Sequence, residues 1–253
     1  MKALEHISER EREIIRLLTN DSGMSVARLS ELLGVSVVTI RSDLSNLEQK
    51  GMVLRTRGGA KPAYHPDVLE RQNLNVEAKN RIAQAAAALV GDGDTIMIEA
   101  GTTTALVAKY LLGKRYVNIV TNSTLILPFA RLNPGIHLTV VGGEFRPATE
   151  SLVGPIALAE LERFHVRLAF VGTDGFSLEG GLTTHLVEGA EIVRQMARRS
   201  ETVVLVADST KYGKIGFVRV LPVVEMHKLV TDAGLPEPAA AELAGIGLEL
   251  IKA

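Results

Sequence analysis

Five short segments of this 253-residue chain gather groups suited to an anionic, hydroxyl-bearing ligand. They are Glu99-Ala100-Gly101-Thr102-Thr103-Thr104, Thr121-Asn122-Ser123, Gly142-Gly143-Glu144-Phe145-Arg146, Gly172-Thr173-Asp174-Gly175 and Asp208-Ser209-Thr210-Lys211. Gly101 and the three threonines after it offer amides, hydroxyls and the positive end of a helix beginning there, all suited to a phosphate. Arg146 and Lys211 add cations. Glu99, Asn122, Thr173 and Asp174 supply the donors and acceptors a polyol needs. Any one of these segments alone is an ordinary strand-ending turn; the interest lies in their recurrence.

Each follows a short apolar run. Strands are expected at Thr95–Ile98, Val117–Thr121, 137–142, 167–172, 202–207 and Lys228–Thr231, with helices at 103–112, 125–132, 155–164, 188–199 and 238–244. Strands alternating with helices imply a mostly parallel, Rossmann-like sheet covered on both faces. In such a sheet all the strand C-terminal ends lie on one edge, where ligands bind. The five polar segments are thereby expected to converge.

A second constellation occupies the first sixty residues. Ser8-Glu9-Arg10-Glu11 reads as a capping box before a helix bearing Ile14, Ile15, Leu17 and Leu18 on one side. Ser25 caps a short helix with Val26, Leu29, Leu32 and Leu33 inward, and Gly34 breaks it. Ser36 caps a third, to about Gln49, with Val37, Ile40, Leu44 and Leu47 inward and Thr39, Arg41, Ser42 and Asn46 outward. Two helices joined by a glycine-containing turn form a helix-turn-helix, whose second helix enters the DNA major groove. A strand, glycine turn and returning strand follow from Met52 as a wing, with Arg55 and Arg57 expected on one strand face. Between Ser36 and Lys61 the positive residues are Arg41, Lys50, Arg55, Arg57 and Lys61 and the negative ones Asp43 and Glu48, a local +3 on a chain of net charge -1. Ser36, Val37, Val38, Thr39, Arg41 and Ser42 are therefore expected at base edges or flanking phosphates, and Arg55, Arg57 and Lys61 on the backbone.

Bulk properties narrow the class. Hydrophobic residues make up 46% and charged residues 23%, ample for a soluble core. No apolar run approaches a membrane span, and Met1–His6 lacks a secretory hydrophobic stretch, so a cytoplasmic protein is expected. There is no cysteine, and the six histidines (His6, His65, His137, His165, His185 and His227) show no paired ligand spacing, so no metal site and no cofactor are expected. Pro62 and Pro66 mark a linker. The expected organisation is 1–60 winged helix-turn-helix, 61–76 linker, 77–253 α/β ligand-binding domain.

The run from Ser25 through Ser36, with Thr39-Ile40-Arg41-Ser42-Asp43-Leu44 and Arg57-Gly58-Gly59-Ala60, resembles the DNA-binding domain of the DeoR family, bacterial regulators of sugar and sugar-alcohol metabolism. Ser42 departs from the second arginine many members carry, and Glu99 from their frequent aspartate. The strand-end loops resemble the family's sensor domain, so the likeness covers nearly the whole chain. That sensor in turn resembles ribose-5-phosphate isomerase, whose phosphate loop is similar to Gly101–Thr104, whose Asp-Gly-Ala-Asp motif is similar to Gly172–Gly175, and whose late lysine is similar to Lys211. The motif's second aspartate has no counterpart after Gly175, and Glu179 replaces a lysine ahead of Gly180-Gly181. Glu188 and Glu191 are the remaining candidate bases. The resemblance thus implies a non-enzymatic repressor with no catalytic residues, relieved by a phosphorylated sugar or sugar alcohol, binding operator DNA as a homodimer or homotetramer. The competing reading is an isomerase-like enzyme with an appended DNA-binding module.

Overall fold

A computed structural model describes residues 7–253; the leader reading at Met1–His6, and His6 itself, lie outside the described residues. The chain forms two compact units. One holds the residues up to Val76 together with Pro147–Thr149; the other holds Glu77–Arg146 and Glu150–Ala253.

In the N-terminal unit, serine caps set the helix starts. The Ser8 hydroxyl accepts from the Glu11 amide at 3.1 Å while the Glu11 carboxylate accepts from the Ser8 amide at 2.7 Å, opening α1 (Glu9–Asn20). Ser25 caps α2 (Val26–Leu33), which Gly34 ends at φ 64, and Ser36 caps α3 (Val37–Gln49). Each such cap contributes about 1 kcal/mol. Ile14, Leu18, Leu29, Ile40, Leu44 and Leu47 fill the core with Met52 and Val53. Two residues read as inward are not: Leu32 is 45% exposed and Val37 is 37% exposed. Leu32 lies about 100° around the helix from Leu33, beyond the narrow stripe an eight-residue helix buries; Val37 opens the first turn of α3 at the rim.

The wing is an antiparallel hairpin of β1 (Val53–Thr56) and β2 (Gly59–Pro62), with Thr56 opposite Gly59, so Arg57 and Gly58 alone make the turn. This corrects the expectation that Arg55 and Arg57 share a strand face. Arg55 lies opposite Ala60 and Lys61 opposite Leu54, so Arg55 and Lys61 occupy opposite faces. The Gly58 carbonyl accepts from the Val26 amide at 2.9 Å, and a Cβ on Gly59 would stand 2.6 Å from the Met24 carbonyl oxygen. The stretch read as a linker is partly folded. Lys61 and Pro62 complete β2, and α4 (Pro66–Asn73) places Leu69, 1% exposed, in the core. Pro66, read as marking the linker, is a first-turn proline of α4, where its missing amide costs nothing.

The C-terminal unit runs α5 (Val76–Ala88, from Glu77), β3 (Thr95–Ile98), α6 (Thr104–Lys109), β4 (Val117–Thr121), α7 (Leu127–Ala130), β5 (Ile136–Val140), β6 (Glu144–Arg146) and β7 (Ser151–Val153). It continues α8 (Pro155–Leu161), β8 (Val166–Val171), β9 (Gly175–Ser177), β10 (Gly181–Thr184), α9 (Val187–Arg198), β11 (Ser200–Val206), β12 (Val218–Leu221), β13 (Lys228–Thr231), α10 (Glu237–Gly245) and β14 (Glu249–Lys252). Seven strands form a parallel sheet in the order β14-β13-β11-β8-β3-β4-β5. Its central strands are continuous buried runs, Leu168–Val171 and Val203–Val206 among them, as a sheet covered on both faces requires. The six strands read from the sequence lie here; β14, on an edge, was not foreseen. Nor were the three-stranded antiparallel sheet β12-β10-β9 and the pair β6-β7, whose three or four residues each mix apolar with polar or glycine positions and are too short to show a period. No helix among the described residues is long and apolar enough to cross a membrane.

Candidate functional site

The α3 surface is exposed at Val38, Arg41 and Ser42, and Val38 is 74% exposed although apolar. The Ser36 hydroxyl is occupied as a cap, accepting from the Thr39 amide at 3.1 Å and lying 2.9 Å from the Thr39 hydroxyl. Charge sorts into two sets. Asp43, 6% exposed, receives a two-point contact from Arg10 at 2.7 and 3.1 Å, and Lys50 reaches Glu11 at 3.1 Å. Lys50, counted above in the basic cluster, is therefore an internal partner rather than a surface cation. Arg41, Arg55, Arg57 and Lys61 make no side-chain hydrogen bond or ion pair among the described residues. All four are exposed.

In the C-terminal unit the ends of β5, β4, β3, β8 and β11 stand side by side on one sheet edge, and each of the five polar segments follows one of them. Glu99 links two of them, its carboxylate accepting from the Gly172 amide at 3.1 Å. Phe176 and Tyr212 link the next two by an edge-on ring contact at 5.5 Å, backed by the Gly213 amide donating to the Phe176 carbonyl at 2.9 Å. Lys211 ends a 3-10 turn whose Ser209 is gripped by Asp232 through its amide at 2.7 Å and its hydroxyl at 3.0 Å. Burial pushes the Asp232 carboxyl up, but the hydrogen bonds from Ser209 and Gly234 outweigh it and hold the group below its usual range.

Several expected ligand contacts are spent on the protein instead. Thr104 has no exposed surface, and its hydroxyl donates to the Gly101 carbonyl at 3.0 Å. Asn122, 1% exposed, accepts from the Ala100 amide at 2.9 Å and donates to the Leu152 carbonyl at 3.2 Å. The Thr173 hydroxyl faces the Gly175 and Thr183 carbonyls at 2.7 and 2.8 Å. Arg146 bonds Glu188 at 2.7 Å and Glu144 at 3.0 Å. Glu188 is held below the usual carboxylate range by its own backbone amide and by Arg146, so it is an ion-pair partner and poorly suited to act as a base. One oxygen of Asp174 accepts from Thr184 and His185 at 2.8 and 3.0 Å. Glu99, Gly101, Thr102, Thr103, Asp174 and Lys211 keep some claim to a ligand. Thr103 keeps the least surface, at 9% exposed.

Helix α6 has six residues rather than the ten expected, so its dipole is small and the attraction for an anion must come from side-chain charge. The structure supplies a residue the sequence reading missed. Lys79 of α5 is 6% exposed and donates to the Thr102 hydroxyl at 3.4 Å. Its only sequence signal was a lysine among the buried positions of an alanine-rich helix. Among the described residues no cluster of His, Asp or Glu is arranged to hold a metal.

A helix-turn-helix unit joined in one chain to a parallel α/β unit with a polar strand-end edge is the composition of a ligand-responsive DNA-binding regulator. The model of the DeoR-like helix-turn-helix domain matches residues 10–63, and that of the DeoR C terminal sensor domain matches residues 74–233. The chain belongs to the DeoR family of transcriptional regulators. It is 31% identical to a putative aga operon transcriptional repressor of Escherichia coli O157:H7 over 96% of this chain and 93% of that one. It is 34% identical to the regulator GlpR of Haloferax volcanii over 96% and 97% of the two chains, and 32% identical to the regulator GolR of Listeria innocua over 88% and 90%. These relatives are named as regulators, not enzymes. Among solved structures, the sorbitol operon regulator SorC of Klebsiella pneumoniae aligns over 93% of this chain and 100% of that one at 16% identity and a TM-score of 0.39. Ribose 5-phosphate isomerase of Plasmodium falciparum aligns over 55% and 54% at 20% identity and a TM-score of 0.40.

Proposed function

We propose that this regulator represses a sugar or sugar-alcohol operon, binding operator duplex through α3 and the wing and releasing it when a phosphorylated sugar or sugar alcohol occupies the strand-end edge. The residues up to 60 read DNA, 61–76 connect, and 77–253 sense. The observation that carries the effector reading is Lys79, a buried cation against Thr102 in the Gly101–Thr104 loop, on the edge that also presents Lys211. Two cations at one end suit a phosphate, while Glu99 and Asp174 supply acceptors for sugar hydroxyls. A thermal-shift screen against sugar phosphates paired with their unphosphorylated sugars tests this. A true effector at a hundredfold over its Kd stabilises the protein by about 2.7 kcal/mol. A panel in which each sugar performs as well as its phosphate would refute the reading.

One helix-turn-helix spans only a few base pairs, so useful specificity calls for paired half-sites set by protein symmetry. We therefore expect a homodimer or homotetramer in the cytoplasm. Ile215 and Phe217, 75% and 79% exposed ahead of β12, support association. Light scattering at micromolar concentration should report at least a dimer; a monomer with and without operator would contradict this.

A further inference from the structure

The N-terminal unit includes three residues drawn from far along the chain, Pro147–Thr149. Within that unit the Arg71 guanidinium of α4 donates to the Ala148 carbonyl and, at 3.1 Å, to the Asp67 carbonyl. The chain enters the segment from Arg146 and leaves it through Glu150, and both flanking residues belong to the C-terminal unit. Each flank is fastened there. Arg146 pairs with Glu188 at the start of α9. The Glu150 carbonyl accepts from the Thr124 amide at 3.0 Å, and the Thr124 hydroxyl is shared between that carbonyl and the Glu150 carboxylate.

Two further links lead toward the polar edge. Leu152 exchanges hydrogen bonds with Asn122, its amide donating to the Asn122 carbonyl at 2.8 Å and its carbonyl accepting from the Asn122 side chain at 3.2 Å. The same side chain accepts from the amide of Ala100, the residue before Gly101. Four residues thus run in bonded steps from the glycine-threonine loop to the segment's edge: Ala100, Asn122, Leu152 and, two positions back along the chain, Glu150. Glu150 itself stands at φ 51, in the left-handed region, without being glycine. Such a conformation is strained and persists only where its surroundings hold it, which makes it a natural point of release.

We infer that Pro147–Thr149 is the coupling element of this regulator, through which occupancy of the Gly101–Thr104 loop is passed by Asn122, Leu152 and Glu150 to the DNA-binding unit. The inference rests on the effector reading above and adds its route. Asn122 is thereby a positioning residue, not a ligand contact: its side chain fixes the loop and the segment's exit at once. The device has two states, Glu150 held left-handed by Thr124 or released to extended backbone, and a ligand acts by favouring one of them.

Amide hydrogen exchange on the full chain tests this, with inorganic phosphate as the probe against chloride at equal ionic strength. Phosphate should slow exchange at 101–104 and, in the wild-type protein, also change exchange at 150–152 and in Pro66–Asn73 by about fivefold, equivalent to about 1 kcal/mol. Glu150→Gly removes the carboxylate and the left-handed strain, and Thr124→Val removes the hydroxyl at nearly constant volume. In both, protection at 101–104 should remain while the response of Pro66–Asn73 disappears. Thr124→Val keeps the test valid should Glu150→Gly unfold locally. Protection at 101–104 with no response in 150–152 or Pro66–Asn73 overturns the coupling and leaves the binding site standing. A response in Pro66–Asn73 equal in wild type and both variants overturns this route. No protection at 101–104 overturns the phosphate reading itself, and the inference with it.

Discussion

Replacing Arg41 by alanine is expected to weaken operator binding by about 1–3 kcal/mol, with discrimination lost at one base position. Arg41 is exposed on α3 and has no partner of its own among the described residues, so its removal leaves nothing in the folded unit unpaired. The whole loss therefore reports on DNA. Arg57 is expected to behave differently because it sits in the hairpin turn and not on α3. Arg57→Ala should weaken every duplex alike and lower the slope of log affinity against log salt by about 1. Titrations of operator and scrambled duplex across a salt series separate the two. Wild-type salt dependence and wild-type sequence preference in both variants would remove α3 and the wing from the interface.

The second large effect concerns the effector. A Thr103→Ala, Lys211→Ala double variant should bind its sugar phosphate at least about tenfold more weakly, the loss of one charge-assisted bond worth about 1.5–3 kcal/mol. Lys211 should carry nearly all of it, because Thr103 is almost enclosed. Affinity for the unphosphorylated sugar, already weak, should hardly change, since Lys211 acts on the phosphate. Calorimetry on the purified variants decides this; unchanged affinity for the phosphorylated ligand would place the pocket elsewhere.

The elements were legible because they are periodic. Helix caps at Ser8, Ser25 and Ser36 and the buried apolar runs of β3, β8 and β11 announce themselves locally. What a polar side chain is used for does not. Thr104, Asn122 and Thr173 have the residue types of a ligand site, yet their groups are consumed by backbone amides and carbonyls brought near only by the folded sheet. Arg146 met the same fate through Glu188, 42 residues away in sequence. Lys79 was overlooked for the converse reason: nothing within its own helix reveals that Thr102, 23 residues on, will lie beside it. Charge counting misled at Lys50, whose partner Glu11 is 39 residues earlier.

The hairpin turn also serves as part of a helix start, because the Gly58 carbonyl takes up the Val26 amide while Gly59 lies too close to Met24 for any side chain. Wing and helix-turn-helix therefore share a hydrogen bond and a hydrophobic core. A state with α2 formed and the wing adrift would leave the Val26 amide without its acceptor, and one with the wing formed alone would have nothing to close against. The turn that carries Arg57 and the start of α2 are accordingly tied by one hydrogen bond, worth about 0.5–1.5 kcal/mol, on top of the core that both share through Val26, Val53 and Ala60.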